Sequence, residues 1–241
     1  FSTTEILGIH YCDVSPLRTH THTHTNSMNK TYSITVEGTA PLMLSNVEYS
    51  DPLGEAAKQK KLFTDKKGKA KTDDVHRVVR TLDWLYSGYW KEEGECIVCP
   101  EENTVAFAGY STPYLPGANF QRSLRDAATA WKLGKTSKSA IIVYSNPEIE
   151  FDGPKDGVEM FNSREPKLQY AASTSRGVWV NRICIPAGWK CTYELNLNTE
   201  LLEVSDLKKI CIMAGKSAGL GTWRPRFGRF QVNQIEEIEF S

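Results

Sequence analysis

The residues best placed to do chemistry lie near the C-terminus. The segment 215–229, Gly-Lys-Ser-Ala-Gly-Leu-Gly-Thr-Trp-Arg-Pro-Arg-Phe-Gly-Arg, holds four glycines, four basic residues and no acid. Its glycines, Gly215, Gly219, Gly221 and Gly228, stand between a predicted helix and a predicted strand. That order fits neither a phosphate loop, whose lysine begins a helix, nor a dinucleotide fingerprint, which follows a strand and opens a helix. The segment offers free backbone N–H groups, the cations Lys216, Arg224, Arg226 and Arg229, and the rings of Trp223 and Phe227 beside them. Basic residues interleaved with aromatics suit a single-stranded nucleic acid, because arginine pairs with phosphate and each unpaired base offers a face for stacking. The competing reading is a glycine-bearing turn with core rings and solvated arginines.

A second basic run lies at 58–71, where Lys58, Lys60, Lys61, Lys66, Lys67, Lys69 and Lys71 are opposed only by Asp65. Like charges repel and little apolar surface is at hand, so this segment is expected to be mobile without a ligand and dispensable for stability. Arg122 and Arg125, three apart on a predicted helix, add a third basic element. Six cysteines occur, Cys12, Cys96, Cys99, Cys184, Cys191 and Cys211. Cys96 and Cys99 have the spacing of half a zinc knuckle, but six residues separate Cys184 from Cys191, so small apolar fillers on strands are the expectation and no metal or cofactor is assigned.

These groups must be positioned by an ordinary globular chain. The 241 residues carry 29 Lys+Arg against 29 Asp+Glu and are 40% hydrophobic, enough for one large domain, and the longest apolar run, 140–144, is far too short to span a membrane. The chain lacks the features of a secretory signal, so a reducing, cytoplasmic setting is expected. Residues 1–27, in which His20, His22 and His24 alternate with threonines, read as a tag-derived leader, leaving 28–241 as a single domain with a basic insertion at about 51–72. Alternation at Tyr32, Ile34 and Val36 predicts a strand over 31–37. Further strands are predicted at 104–108, 140–144, 148–151, 177–185, 189–197 and 230–232. A helix is predicted over 73–87, capped by Thr72 or Asp73. Another runs from about 119 to 132 with a stripe of Phe120, Leu124, Ala127, Ala128 and Trp131. A third, capped by Ser205, covers 205–214.

Three of these segments together resemble a family. The glycine segment 219–230, after a helix and before a final strand, is similar to the glycine-rich loop of the RAMP superfamily of CRISPR-associated proteins. The segment 112–125, Thr-Pro-Tyr-Leu-Pro-Gly-Ala-Asn-Phe-Gln-Arg-Ser-Leu-Arg, resembles the family's Pro-Gly turn leading into a helix that ends in Leu-Arg. The segment 34–44 resembles its first strand and following loop, although Pro-Leu-Met-Leu-Ser stands at 41–45 where many CRISPR backbone subunits carry His-Ile-Gly. The Trp-Arg-Pro-Arg-Phe-Gly form of the loop is closer to relatives encoded by bacteriophages.

The resemblance implies an α+β fold of the ferredoxin-like or RRM-like kind, β-α-β-β-α-β, with an antiparallel sheet, helices on one face and long insertions. Within it, Gly219, Gly221, Arg224, Arg226, Gly228 and Arg229 match the glycine loop, and Pro116, Gly117, Arg122 and Arg125 match the turn and helix. The function it implies is non-catalytic binding of single-stranded RNA or DNA, with RNA favoured, in a homo-oligomer along the strand or with other RAMP subunits. A RAMP-type endoribonuclease is the alternative. Metal-free members commonly use a histidine as general acid or base, and beyond the leader only His76 is present. Asp51 is the candidate for subunits that cleave bound RNA with a first-loop aspartate, and before Pro52 it also reads as a turn former. A phage structural or assembly protein that binds no nucleic acid is the third reading.

Overall fold

The computed structural model describes residues 29–173 and 177–239; the expected leader 1–27 lies outside the described residues. The central sheet is built from β1 (Asn29–Gly38), β5 (Ile141–Val143), β8 (Lys190–Asn198) and β9 (Phe230–Ile238), in the spatial order β5-β8-β1-β9 with every neighbouring pair antiparallel. With α3 (Gly117–Ala128) between the first two strands and α6 (Val204–Met213) between the last two, the chain order is β-α-β-β-α-β. The expected α+β architecture is therefore observed, and the predicted first and last strands share a sheet.

Alternation explains which face is covered. Tyr32, Ile34 and Val36 of β1 and Cys191, Tyr193, Leu195 and Leu197 of β8 are buried, while the residues between them are largely solvated. The two helices cover the apolar face: Phe120 of α3 stacks on Tyr193 with ring centroids 4.2 Å apart, and Cys211 of α6 packs against the same tyrosine. Pairing of β1 with β9 slips between Thr35 and Val36, a bulge that keeps Phe230 and Val232 on the core side of the sheet.

The insertions supply the remaining layers. β2 (Leu42–Met43), β7 (Trp179–Ile185) and β6 (Gln169–Ser173) form a three-stranded sheet, and β3 (Glu95–Cys99) pairs with β4 (Thr104–Ala108) as a hairpin. α2 (Asp73–Leu85) begins as expected, with Thr72 Oγ1 accepting from the Val75 N–H, and buries Val75, Val78, Leu82, Trp84 and Leu85. Short helices α4 (Gly134–Ala140) and α5 (Gly157–Asn162) complete the chain.

Several expectations are corrected. The segment 58–71 is not a bare mobile run: α1 (Glu55–Thr64) occupies its first half, and a 3₁₀ turn (Gly68–Ala70) follows. Phe63 is fully buried with Val75, Val78 and Leu82, Lys60 pairs with Asp83, and Lys66 Nζ donates to Asn103 Oδ1 at 2.6 Å. One aromatic anchor overrides the charge count. Trp131 leaves the predicted stripe and is 41% exposed, because α3 ends at Ala128 and the chain turns through left-handed Lys132. Residues 148–151 make only isolated bridges rather than a strand. α6 starts from Glu203 with no side-chain cap, and Ser205 Oγ donates instead to Glu203 Oε2.

Candidate nucleic-acid interface

The glycine segment leaves α6 through a π-helical turn (Ala214–Ala218) and folds onto the loop after β1. Backbone hydrogen bonds hold it: Thr222 N–H donates to Met43 O at 2.9 Å, Gly228 N–H to Pro41 O at 2.8 Å, Leu220 N–H to Gly228 O at 2.9 Å, and Arg229 O accepts from Thr39 N–H at 2.9 Å. Gly219, Gly221 and Gly228 all have φ near +70°, and a Cβ on Gly221 or Gly228 would lie 2.3 Å or 1.9 Å from a carbonyl oxygen. The glycines thus serve close backbone packing, and much of the loop's N–H capacity is spent inside the protein.

Its side chains divide into two sets. Phe227 is buried with Met43 and Cys184, and its ring meets Tyr170 and Trp223 edge-on, so a base has no face of it to stack on. Trp223 is half-buried on the rim of this cluster, at φ +55°. Arg224 is turned inward, its side chain only 17% exposed, with Nη1 donating to Gly219 O at 3.2 Å and Nη2 to Asp126 Oδ2 at 3.4 Å. Arg226, Arg229 and Lys216 are exposed. Arg229 and Lys216 line one shallow depression beside Thr39 and Phe230.

Asp126 joins the two basic motifs. From α3, Arg125 Nη2 lies 2.9 Å and Arg122 Nε 3.9 Å from its carboxylate, and Arg224 approaches from the loop. α3 is aimed at this junction by Gly117, whose N–H donates to Asn146 Oδ1 at 2.8 Å and whose missing Cβ admits Ser145 O. Asp126 thus gathers Arg122 and Arg125 from α3 and Arg224 from the loop, while Arg226, Arg229 and Lys216 are exposed on the glycine segment itself. Asp126→Asn should therefore raise affinity for a single-stranded polyanion, since it removes the competing carboxylate, at a stability cost set mainly by the lost partner of the largely buried Arg224, because the Arg122 and Arg125 pairs are exposed and contribute little. Paired binding and melting curves check this, and unchanged affinity would mean the three arginines do not face a ligand.

The open face of the sheet is of different character. Opposite the helices, β1, β8 and β9 present Ser33, Thr35, Glu37, Thr192, Glu194, Gln231, Gln234 and Glu236, with no ring among them. Asn233 donates to Glu37 at 2.9 Å and, with Lys190 nearby, holds its carboxyl below the usual range. The exposed ring beside them is Tyr144, just past β5, which lies against Glu194.

No protein-family model matches the chain, and no curated protein matches its sequence. Among solved structures, a chain of a Type III-B Cmr-beta complex bound to cognate target RNA is similar with a TM-score of 0.42 and 11% identity, over 88% of this chain and 61% of that one. A chain of a Type IV-B CRISPR complex is similar with a TM-score of 0.37 and 10% identity, over 86% of this chain and 90% of that one. This chain thus spans about three fifths of the first neighbour's length.

The other candidates are dispersed. Lys58, Lys61, Lys67, Lys69 and Lys71 are exposed on and after α1, whereas Lys60 and Lys66 are engaged with Asp83 and Asn103. His76 is exposed on the first turns of α2. Asp51 closes a turn, its Oδ1 accepting from the Leu53 N–H at 2.9 Å. Cys96 and Cys99 lie on the β3–β4 hairpin, Cys184 on β7 and Cys191 on β8, so the four are spread over three sheets. Burial pushes the Cys184 thiol up to about 11 and Cys211 to about 12, which keeps both as neutral thiols. Among the described residues no cluster of three His, Cys, Asp or Glu could hold a metal, and no helix is long and apolar enough to cross a membrane. The residue missed in the sequence is Asp126; its i+4 spacing from Arg122 was the available signal.

Proposed function

We propose that this protein binds single-stranded RNA, without cleaving it, along the edge formed by α3 and the glycine loop, as one subunit of a larger RNA-holding assembly. The observation that carries the reading is the meeting of two basic motifs at Asp126, Arg122 and Arg125 from α3 and Arg224 from the glycine loop, with Arg226, Arg229 and Lys216 exposed on the loop's own segment. Phosphates of a single strand suit such an edge because each guanidinium can make two charge-assisted hydrogen bonds.

The test is binding of a fluorescent 20-nucleotide RNA across a salt series. Arg226→Ala and Arg229→Ala should each weaken binding and reduce the slope of log affinity against log salt by about 0.7, the counterions released per contact on a single strand. Melting temperature should stay within the error of wild type, because both side chains are exposed. Wild-type protein that binds no strand at moderate salt sinks the reading. Cleavage products lost in His76→Ala or Asp51→Ala would replace it with a ribonuclease.

A further inference from the structure

A cleft of about 410 Å³ opens between α1, the C-terminal end of α2, β7 and the segment following β2. This is the size range of small-molecule sites. Into it the fold brings Lys60 and Lys61 from α1, Asp83 from α2, Arg182 from β7 and Ser45 from the first loop. Asp83 is 8% exposed and paired with Lys60, and Arg182 Nη1 donates to Ser45 Oγ at 2.6 Å. Two charged groups remain incompletely satisfied: Asp83 Oδ2 and Arg182 Nε are buried with no hydrogen-bond partner. Burial pushes the Asp83 carboxyl up against the opposing pull of Lys60 and Arg182. Unmade hydrogen bonds on buried ionic groups are costly, and native proteins keep them where something else completes the shell.

Two tyrosine rings also line the cleft. Tyr49 and Tyr86 stack with centroids 4.7 Å apart at 30°, and their hydroxyls are tied to Glu93 and Gln59, which fixes the rings. Three cations against one carboxylate favour an anion, an aromatic wall favours a planar ring, and the unpaired donor and acceptor suit a polar edge. An acidic peptide would answer the charge but not the wall or the small volume.

We propose that this cleft is a mononucleotide site that takes one nucleoside phosphate, the base against Tyr49 and Tyr86 and the phosphate among Lys60, Lys61 and Arg182. The nucleotide can come from the bound strand, a source that rests on the function proposed above, or from solution. Continuity favours the strand: Met43 of β2 accepts from Thr222 of the glycine loop, Cys184 of β7 pairs with Met43, and Ser45 lies two residues past β2 while Arg182 lies on β7.

The test uses the full chain, dialysed against labelled AMP, GMP, CMP, UMP or inorganic phosphate, beside the 20-nucleotide RNA titration. Wild type should bind at least one nucleotide more tightly than phosphate alone. Lys61→Ala, an exposed position that leaves the fold intact, and Arg182→Lys, which keeps the charge but loses the planar fork, should each weaken that nucleotide about tenfold, the loss expected for one charge-assisted contact. Arg226→Ala should leave nucleotide binding unchanged. If the strand supplies the nucleotide, RNA affinity falls in the cleft variants too; if a free nucleotide is the ligand, RNA affinity holds. If RNA binds through Arg226 and Arg229 while no nucleotide binds and both cleft variants behave as wild type, the cleft inference is overturned and the strand-binding reading survives. A chain that binds nucleotides through Lys61 but no RNA supports the cleft and refutes the strand-binding reading.

Discussion

Phe63→Ala should destabilise the protein by about 3–5 kcal/mol, the usual cost of emptying a fully buried aromatic site. Deleting 58–71 should cost at least as much. Phe63 is the only side chain of α1 larger than alanine that is buried, and it fills a cluster with Val75, Val78 and Leu82 to which Val79, Val98 and Val105 contribute from the side. Without it α1 has no apolar anchor, and a ten-residue helix does not persist on its own propensity. The Lys60–Asp83 pair cannot compensate, because a half-exposed lysine adds little, and losing it strips a buried carboxylate of its cation. Urea denaturation followed by far-UV circular dichroism and tryptophan fluorescence reads the effect. A Phe63→Ala midpoint equal to wild type would mean that the segment does not pack as described. Lys67→Ala and Lys69→Ala in the same assay should shift stability by no more than about 0.5 kcal/mol, since both are exposed.

That segment also marks how far the sequence could be read. Period-two alternation at Tyr32, Ile34 and Val36, and helical spacing at Val75, Val78, Leu82 and Leu85, were legible because several residues in each segment repeat one signal. α1 was not, because seven lysines in 58–71 drown an anchor of one phenylalanine and one alanine. Trp131 extended a correct stripe by one turn too many, since nothing in local spacing reveals that Lys132 adopts a left-handed turn. The glycine loop was recognised for its residue types, but the inward course of Arg224 and the burial of Phe227 follow from packing on Pro41, Met43 and Cys184, which are far away in the chain. The cleft was invisible for the same reason. Asp83 and Arg182 belong to an α2–β7 contact, and no motif links them.

Gly228→Ala should abolish strong strand binding and lower stability together, in contrast to the arginine variants, which should affect binding alone. A Cβ at Gly228 would stand 1.9 Å from Leu220 O, inside the contact that closes the loop on itself. The residue also sits at φ +75°, where an L-residue pays about 1–2 kcal/mol before any clash is counted. Relief requires the loop to move, which breaks the bonds from Gly228 to Pro41 and from Leu220 to Gly228. Arg226 and Arg229 flank this position, so both phosphate contacts shift at once, and the salt slope should fall by about 1.4, twice the single-contact value. Gly68→Ala is the matching control: φ is +57° but nothing lies within 4 Å of the added methyl, so it carries the backbone strain alone, distant from the loop. Melting temperature and salt-dependent RNA affinity, measured for both variants, separate the two effects. Gly228→Ala with wild-type melting and wild-type slope would show that the loop is not seated by these contacts, and the assignment of its exposed arginines to phosphate would fall with it.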